Sequence, residues 1–306
     1  MSTETSTRRD FLKKSAIALG VGAAASTTLS GVSPAPAAAQ TTDDEAATSK
    51  LYEVLDRGYV IVGTGSTNPP WHFEDEQGDL IGFDTEMARL LAKGLFDDPE
   101  KVEFLRQASD ARIPNLQTNK VDIVFQFMTV NAQRAQLVEF SIPYYREGVG
   151  TLLAADSPYN GALDMAEATT PVTVSILQNV YAEDFIHQAI PNAEVLQLDS
   201  QANVIQALDS GRVDAAAIDE STVRWLVQQE PDKYKAGNYG WSPQTYSAAV
   251  RPGDPIWLNF VNTVLREGMV GVEFDFYATA FKQFFGVELA PPPIGFPVEY
   301  GGFRQL

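Results

Sequence analysis

The chain has 306 residues, with 40 acidic against 22 basic side chains, a formal net charge of -18 at pH 7 and no cysteine. The absence of cysteine excludes disulfide scaffolds, thiolate metal sites and cysteine nucleophiles. The acidic balance argues against a protein that follows a nucleic-acid backbone, because such proteins need a basic surface. With 44% hydrophobic and 20% charged residues, the composition is that of a globular protein with one large domain or two lobes.

Residues 1–39 have the features of an export signal. Arg8 and Arg9 lie in a run, TRRDFLK, that resembles the twin-arginine export motif, and an apolar stretch follows at 16–25. This stretch is too short and too weakly hydrophobic to span a bilayer comfortably. Three alanines ending at Ala39 predict the cleavage site, so we expect an exported, periplasmic mature protein. The alternative is a disordered alanine-rich tail.

Strand and helix patterns alternate through the first half of the remaining chain. A polar, alanine-rich segment at 40–50 precedes them and is expected to be a flexible lead-in. We then expect a strand at 59–65, a helix at 83–95 behind a possible cap at Asp84, a strand at 101–106, a helix at 112–118, a strand at 121–127, a helix at 132–139 and an extended segment at 145–155.

The same alternation restarts near residue 171. We expect strands at 173–177, 194–198, 213–218 and 247–250, with helices at 181–190, 202–208, 222–229, 254–269 and 272–285. Short connections between strands and helices favour parallel βαβ units. We therefore predict an α/β fold with two lobes joined by two crossover segments: lobe 1 at 51–148, lobe 2 at 149–245, a return to lobe 1 at 246–286 and a Pro/Gly-rich tail at 287–306.

Binding residues are sought at strand ends, because ligands in such folds bind outside the carboxyl ends of the strands. Thr129 and Arg134 follow the strand at 121–127, and Asn131 is placed to cap the next helix. A guanidinium in the first turn of that helix would attract a carboxylate. The alternative is a surface arginine on an amphipathic helix.

Asp219 ends the apolar strand at 213–218, where its carboxylate could accept hydrogen bonds from a ligand ammonium. The alternative is that Asp219 or Ser221 caps the following helix. No segment of the chain resembles a cofactor site, and two histidines leave little room for a histidine-based metal centre.

The loop at 68–73, NPPWHF, begins with Asn68 and is stiffened by two prolines. Its aromatic side chains, Trp71 among them, could line an apolar pocket or fold over the core. His72 is expected to be a partly exposed polar residue, and His187 in the second half is expected to be structural.

Three blocks of the sequence, in order, resemble the family 3 extracellular solute-binding proteins, the amino-acid receptors of bacterial uptake transporters. They are GFD at 82–84, the run from VDIV to PYY at 121–145, and GRVDA through the aspartate at 211–219. The likeness covers roughly residues 52–286. It implies a type II periplasmic-binding-protein fold, whose two lobes close on the ligand.

The resemblance also implies the ligand contacts. In that family, the arginine at the position of Arg134 binds the α-carboxylate, helped by the hydroxyl at Thr129. The main-chain carbonyl at Phe127 and the carboxylate at Asp219 hold the α-ammonium. Arg112 resembles an arginine that reaches the ligand side chain in receptors for acidic and polar amino acids.

Two features depart from the family pattern or complicate it. Asn179 and Val180 stand where glycine and threonine are usual, so a contact with the carboxylate there must come from backbone N–H groups or from Asn179. Trp71 and Phe125, with Phe127, would make an unusually aromatic cleft that suits a larger apolar group. Because Arg112 favours a polar or acidic ligand, we expect a polar or acidic amino acid.

The resemblance implies a monomeric binding protein, without a cofactor, that delivers its amino acid to the membrane permease of an ABC importer. One alternative is an exported cyclohexadienyl dehydratase acting on prephenate or arogenate, on the same fold. Such an enzyme needs a general acid, for which only His72 or a nearby glutamate such as Glu74 is available. Another alternative is a ligand-binding partner of a membrane sensor.

Overall fold

The computed structural model describes residues 49–178 and 182–295. Within these two ranges, ten strands form one continuous mixed sheet and three short strands form a second sheet. The helices in the same ranges lack the combined length and apolar character needed to cross a membrane.

The first half of the described chain carries the elements up to the long strand β8. They are α1 (Lys50–Arg57), β1 (Val60–Thr64), β2 (Thr67–Asn68), β3 (His72–Glu74), β4 (Leu80–Ile81), α2 (Phe83–Phe96), β5 (Val102–Arg106), α3 (Arg112–Gln117), β6 (Ile123–Thr129), a 3-10 turn (Arg134–Gln136), β7 (Glu139–Phe140) and β8 (Tyr145–Ala154).

The second half begins with a short helix and ends with two long ones. Its elements are α4 (Ala162–Ala166), β9 (Thr173–Leu177), α5 (Ala182–Ala189), β10 (Glu194–Leu198), α6 (Gln201–Asp209), β11 (Ala215–Asp219), α7 (Glu220–Gln229), β12 (Tyr234–Ala236), β13 (Trp241–Val250), α8 (Pro255–Val270) and α9 (Phe274–Phe285).

The large sheet contains two sets of parallel strands joined by two antiparallel ones. β1 pairs in parallel with β5 and β6, and β9 pairs in parallel with β10 and β11. β8 and β13 lie side by side between these sets and run antiparallel to their neighbours. The predicted α/β class with parallel βαβ units in both halves is therefore confirmed.

Buried apolar side chains form separate cores on the two parts of the sheet. One core packs α2, α8 and α9 against β1 and β6, and its members include Val60, Val62, Leu90, Leu91, Val261 and Phe284. Another packs α5 against β9 and β11, and its members include Val174, Ile176, Ile186 and Ala215. The lobe boundaries given above stay a prediction, and these separate cores are what two lobes require.

The prediction of a helix at 132–139 is wrong. The chain there makes only the 3-10 turn and then β7, which pairs with β13 through Phe140 and Ala249. In this segment Val138 is buried and Leu137 is 45% exposed. Pairing with β13 satisfies backbone groups that a helix would otherwise have satisfied internally.

Asp84 is not the cap that the sequence suggested for α2. The N-cap residue is Gly82, and the carboxylate of Asp84 is buried under the helix. The segment 40–50 is also only partly a lead-in, because Ser49 caps α1 and the helix begins at Lys50. Residues 1–48 lie outside the described ranges, as does the end of the tail from 296.

Short elements were not predicted at all. They are α1, the small β2–β3–β4 sheet, α4 and β12. Strands of two or three residues carry too few side chains to show an alternating pattern, so they leave no periodic signal in the sequence.

A Gly82→Ala substitution should destabilise the protein by about 2–4 kcal/mol. Gly82 has φ +132, and a Cβ there would lie 2.2 Å from the backbone oxygen of Trp71, which cannot move away as a flexible side chain would. The measurement is the free energy of unfolding in urea. Gly78→Ala is the control, because Gly78 has φ +85 but a Cβ added there would meet no atom within 4 Å, so only about 1 kcal/mol of backbone strain is expected. Equal losses in both variants would contradict the close approach at Gly82.

Candidate functional site

The peptide between Gln126 and Phe127 is held at both of its polar atoms. The N–H of Phe127 donates to Oδ2 of Asp84 at 2.8 Å, and Nη1 of Arg112 donates to the carbonyl of Gln126 at 3.0 Å. Phe127 itself has φ +32, an uncommon value for a residue with a side chain. The register of β13 against β6 shifts at the same place, between Ser247 and Ala249. This bulge turns the backbone at Phe127 out of regular strand geometry.

Asp84 is the centre of a buried polar group beneath Phe127. Its carboxylate also accepts hydrogen bonds from the Tyr144 hydroxyl at 2.6 Å and pairs with Nδ1 of His72 at 2.8 Å. The His72 ring stacks on the Phe127 ring with centroids 4.7 Å apart, and Asn68 lies 3.3 Å from its Nε2. The expectation that His72 is partly exposed is wrong, because its side chain is completely buried.

Arg112 lies across Phe127 from this group and is itself buried. Its Nε donates to the carbonyl of Ser109 at 2.7 Å, and its guanidinium carbon lies 5.9 Å from the centre of the Phe127 ring. Burial, and then the nearby charge of Arg134, lowers the pKa of Arg112 to about 10. Two guanidiniums are thus close enough to repel each other at one end of the site.

Arg134 is half-buried beside the end of β6. Its Nη1 donates to the carbonyl of Thr129 at 2.9 Å, and its backbone N–H is capped by Oδ1 of Asn131 at 2.8 Å. Burial lowers the pKa of Arg134. Asn131 accepts this hydrogen bond but is not the N-cap residue that the sequence suggested, because the element is a three-residue 3-10 turn whose N-cap is Gln133. No helix dipole of useful length therefore supports this arginine.

Asp219 occupies the N-cap position of α7 but makes no capping hydrogen bond with its side chain. Its Oδ2 instead accepts from the Tyr246 hydroxyl at 3.1 Å, and burial raises the pKa of Asp219. Tyr246 lies opposite Thr129 on β13, so its side chain extends from the arginine end of the site to this carboxylate. Sequence reasoning missed Tyr246 because the expected strand began one residue after it.

Glu147, and not Asp219, accepts the capping hydrogen bond at the start of α7. Its Oε1 accepts from the N–H of Ser221 at 3.3 Å, and its Oε2 bonds the Ser221 hydroxyl. The Glu147 side chain is buried, and burial followed by the charge of Asp219 raises its pKa to about 8. The sequence signal for Glu147 is a single carboxylate within the extended segment 145–155, which sequence reasoning did not use.

Trp71 is buried among the rings of Phe83, Phe127, Tyr145, Tyr246 and Phe285, at centroid distances between 4.8 and 6.3 Å. Its Nε1 donates to Oγ of Ser221 at 3.0 Å, so the loop at 68–73 reaches the first turn of α7. Phe125 is completely buried against Tyr144 and forms part of the core. Asn179 and Val180 lie outside the described residues.

The remaining candidates are placed away from this site. Glu74 is exposed and pairs with Arg106 at 2.8 Å. His187 bonds the carbonyl of Ala193, which agrees with a structural role. A groove of about 450 Å³ between α2 and α9 contains none of the predicted binding residues; it is lined by Glu86, Lys93, Val272, Glu273, Asp275, Phe276, Thr279, Ala280 and Gln283.

The structure therefore brings charges of opposite sign to the two ends of one site. Arg112 and Arg134 form the positive end, Asp219 and Glu147 form the negative end, and Tyr246 joins them. Such an arrangement complements a ligand that carries both an anionic and a cationic group. Three or more metal-ligating side chains do not come together anywhere in the described ranges.

Asp84→Ala should lower the free energy of unfolding by about 3–5 kcal/mol, because it leaves the Tyr144 hydroxyl, the His72 ring and the Phe127 N–H buried without their acceptor. Urea unfolding followed by circular dichroism measures this loss. Asp164→Ala is the control: its carboxylate also accepts two hydrogen bonds, both from Asn160, but at an exposed position. We expect the control to lose less than about 1 kcal/mol. Similar losses in both variants would show that Asp84 is not the centre described here.

Comparison with known proteins identifies the family of the chain. The profile of the bacterial extracellular solute-binding proteins, family 3, matches residues 60–286. The glutamine-binding protein of Geobacillus stearothermophilus is 29% identical over 68% of this chain and 78% of its own length. The L-cystine-binding protein TcyJ of Escherichia coli K12 is 27% identical over 71% of this chain and 80% of its own length.

Among solved structures, an ancestral amino acid-binding protein described as a precursor of cyclohexadienyl dehydratase is similar to this chain. The TM-score is 0.61 and the identity 30%, over 78% of this chain and all of that one. The predicted fold is thereby confirmed. Because the family profile spans most of the chain, the protein belongs to the bacterial extracellular solute-binding proteins, family 3.

Proposed function

We propose that this protein captures a free amino acid as a zwitterion and delivers it to the membrane permease of an ABC importer. The observation that carries the proposal is the pair of oppositely charged ends joined by Tyr246. A zwitterionic α-amino acid presents a carboxylate and an ammonium at a short, fixed separation, and each end of the site has the charge that one of these groups requires.

The ligand carboxylate belongs at the arginine end. Arg134 is only half-buried and its forked guanidinium uses one donor on the Thr129 carbonyl, which leaves further donors for a carboxylate. The Thr129 hydroxyl is the second contact that we assign. An anion placed there also relieves the repulsion between Arg134 and Arg112, whose pKa is lowered to about 10 partly by that repulsion.

The ligand ammonium belongs at the carboxylate end. Asp219 keeps its carboxylate away from the α7 backbone, because Glu147 binds Ser221 in its place. The carbonyl of Phe127 is the second acceptor that we assign. The peptide that precedes Phe127 is fixed by Asp84 and Arg112, which would limit the backbone freedom of this residue and so reduce the entropy lost when the ligand is ordered.

We further propose a polar or acidic amino acid as the ligand. The support is Arg112, a second guanidinium, itself buried, in a site that already has Arg134 for the α-carboxylate. Trp71 adds an apolar wall, and its side chain is enclosed by five other rings. If lobe closure forms the contacts from Arg134 and Asp219 together, tight binding requires a ligand that carries both charged groups.

The place of action that we propose is the periplasm, with the protein working as a monomer beside its permease. Support comes from the family, whose members are extracellular binding proteins, and from the sequence at 1–39, which resembles a twin-arginine export signal.

A cyclohexadienyl dehydratase is the second candidate, because the similar ancestral binding protein is described as a precursor of that enzyme. The two general acids suggested by the sequence do not support it. His72 is buried and committed to Asp84, and Glu74 is exposed and paired with Arg106. Turnover of prephenate or arogenate by the purified protein would establish the enzymatic activity. Absence of turnover at high protein concentration would exclude this second candidate.

A thermal-shift screen against amino acids, dicarboxylates and aromatic keto acids tests the proposed function. A ligand present at a hundred times its dissociation constant should add about 2.7 kcal/mol of stability, which raises the melting temperature by several degrees. Stabilisation by α-amino acids, greatest for polar or acidic ones, is the expected outcome. A protein stabilised by no amino acid would contradict the proposal.

Arg134→Ala should weaken binding of the amino acid found in this screen at least about 100-fold, or about 3 kcal/mol, because the ligand carboxylate loses its charged partner in a desolvated site. Isothermal titration calorimetry gives the dissociation constants. Arg146→Ala is the matched control, since Arg146 is an exposed arginine on the neighbouring strand β8 and its removal changes the net charge equally. Binding within threefold of the unmodified protein by Arg134→Ala would overturn the assigned carboxylate end.

A further inference from the structure

Glu147 is a buried carboxylate that the zwitterion site does not need for charge balance, since Asp219 alone matches one ammonium. We propose that Glu147 and Asp219 share one proton in the ligand-free protein, and that a ligand ammonium at Asp219 displaces this proton. The first half concerns the protein alone. The second half rests on the proposed function, because it requires an ammonium at Asp219.

The sheet places Glu147 and Asp219 on neighbouring strands. β11 and β8 are antiparallel, with Asp219 opposite Val149, and Glu147 lies two residues further along β8. Side chains two residues apart on a strand share a face, so Glu147 and Asp219 are diagonal neighbours on one face of the sheet. Glu147 is 2% exposed and Asp219 is half-buried, and burial is the first cause of the raised pKa of each group.

Hydrogen bonds hold Glu147 in place in either protonation state. The N–H groups of Gly148 and Ser221 both donate to its Oε1, at 2.9 and 3.3 Å. The Ser221 hydroxyl at Oε2 can donate to a carboxylate or accept from a carboxylic acid, so this contact survives protonation. Through Ser221 and Trp71, the position of Glu147 is linked to the loop at 68–73. Glu147 is therefore a positioning residue for α7.

The charges around the pair favour a shared proton. Tyr246 and Tyr145 face it, and burial raises the pKa of both phenols, so they stay neutral. On α7, Arg224 pairs with Glu220, and the guanidiniums of Arg112 and Arg134 lie at the other end of Tyr246. Two neighbouring carboxylates in such surroundings do not both ionise near neutral pH, which agrees with the pKa of Glu147 at about 8.

An ammonium at Asp219 changes this balance. Its positive charge makes full ionisation of the pair favourable, so binding releases the shared proton. The direction of the pH dependence follows from this release: affinity rises with pH while the ligand-free pair still holds the proton, and levels off near pH 8. The greatest possible slope is about tenfold in the dissociation constant for each pH unit.

Isothermal titration calorimetry of the purified full chain tests the release, with L-glutamine, L-glutamate, L-arginine and L-cystine as probes. At pH 6.5, in two buffers that differ in ionisation enthalpy, the probes that bind should release between about one half and one proton, and the dissociation constant should fall at least about tenfold between pH 5.5 and 7.5. Glu147→Gln should abolish the release and flatten the pH profile. A pH-independent affinity without proton release in the unmodified protein would overturn the proposal.

Two further variants separate titration from structure. Ser221→Ala removes the hydroxyl at Glu147 but keeps both carboxylates, so proton release should remain even if affinity falls. Glu194→Gln removes an exposed carboxylate from β10 and should behave like the unmodified protein. If Glu194→Gln also abolished the release, the effect would come from net charge and not from the pair.

Infrared spectroscopy of the ligand-free protein tests the shared proton without any ligand. A protonated carboxylic carbonyl band should be present at pH 6.5, disappear as the pH rises through about 8, and be absent from Glu147→Gln at both pH values. Absence of this band in the unmodified protein refutes proton sharing even where amino acids bind. Failure of every probe to bind refutes the proposed function and the displacement by ammonium, while the band still decides whether the proton is shared.

Discussion

The geometry of the site depends on one fixed peptide, the link between Gln126 and Phe127. Asp84 binds its N–H and Arg112 binds its carbonyl, and both partners are buried side chains from helices packed on opposite faces of β6. A residue with φ +32 is strained, and such a conformation persists only where its surroundings fix it. The ring of Phe127, held between His72 and Arg112, then places one wall of the site relative to the sheet.

The carboxylate end shows how a helix terminus can be satisfied without using the residue that precedes it. An aspartate at an N-cap position normally binds the free N–H groups of the first turn. Here Glu147 reaches across from β8 to Ser221, so Asp219 carries no capping bond and turns to Tyr246. The consequence is an aspartate whose carboxylate makes no bond to the α7 backbone and lies near a second, buried carboxylate.

The sequence predicted the fold best where a hydrophobic pattern extended over a whole strand. The strands at 59–65, 101–106 and 173–177 are present, because alternating or continuous apolar runs of that length are typical of strands in a sheet. The helix at 132–139 failed since pairing of β7 with β13 is a contact between residues more than a hundred positions apart, which local periodicity cannot represent. The same limit applies to His72. Its burial depends on contacts with Asp84 and Phe127, and the sequence of its own loop does not predict these contacts.

Some residues of the candidate site were identified by family resemblance, and others only from the structure. Arg134, Thr129 and Asp219 stand in ordered blocks that resemble the family, so they could be named from the chain alone. Glu147 and Tyr246 lie on β8 and β13, the two strands that join the parallel sets, and only the register of those strands brings them to Asp219. A buried acid among aromatic side chains is unfavourable unless a partner compensates it. Under the proposed function a ligand ammonium would be such a partner, so the unfavourable burial of Glu147 beside Asp219 favours a ligand that carries a positive charge at this end.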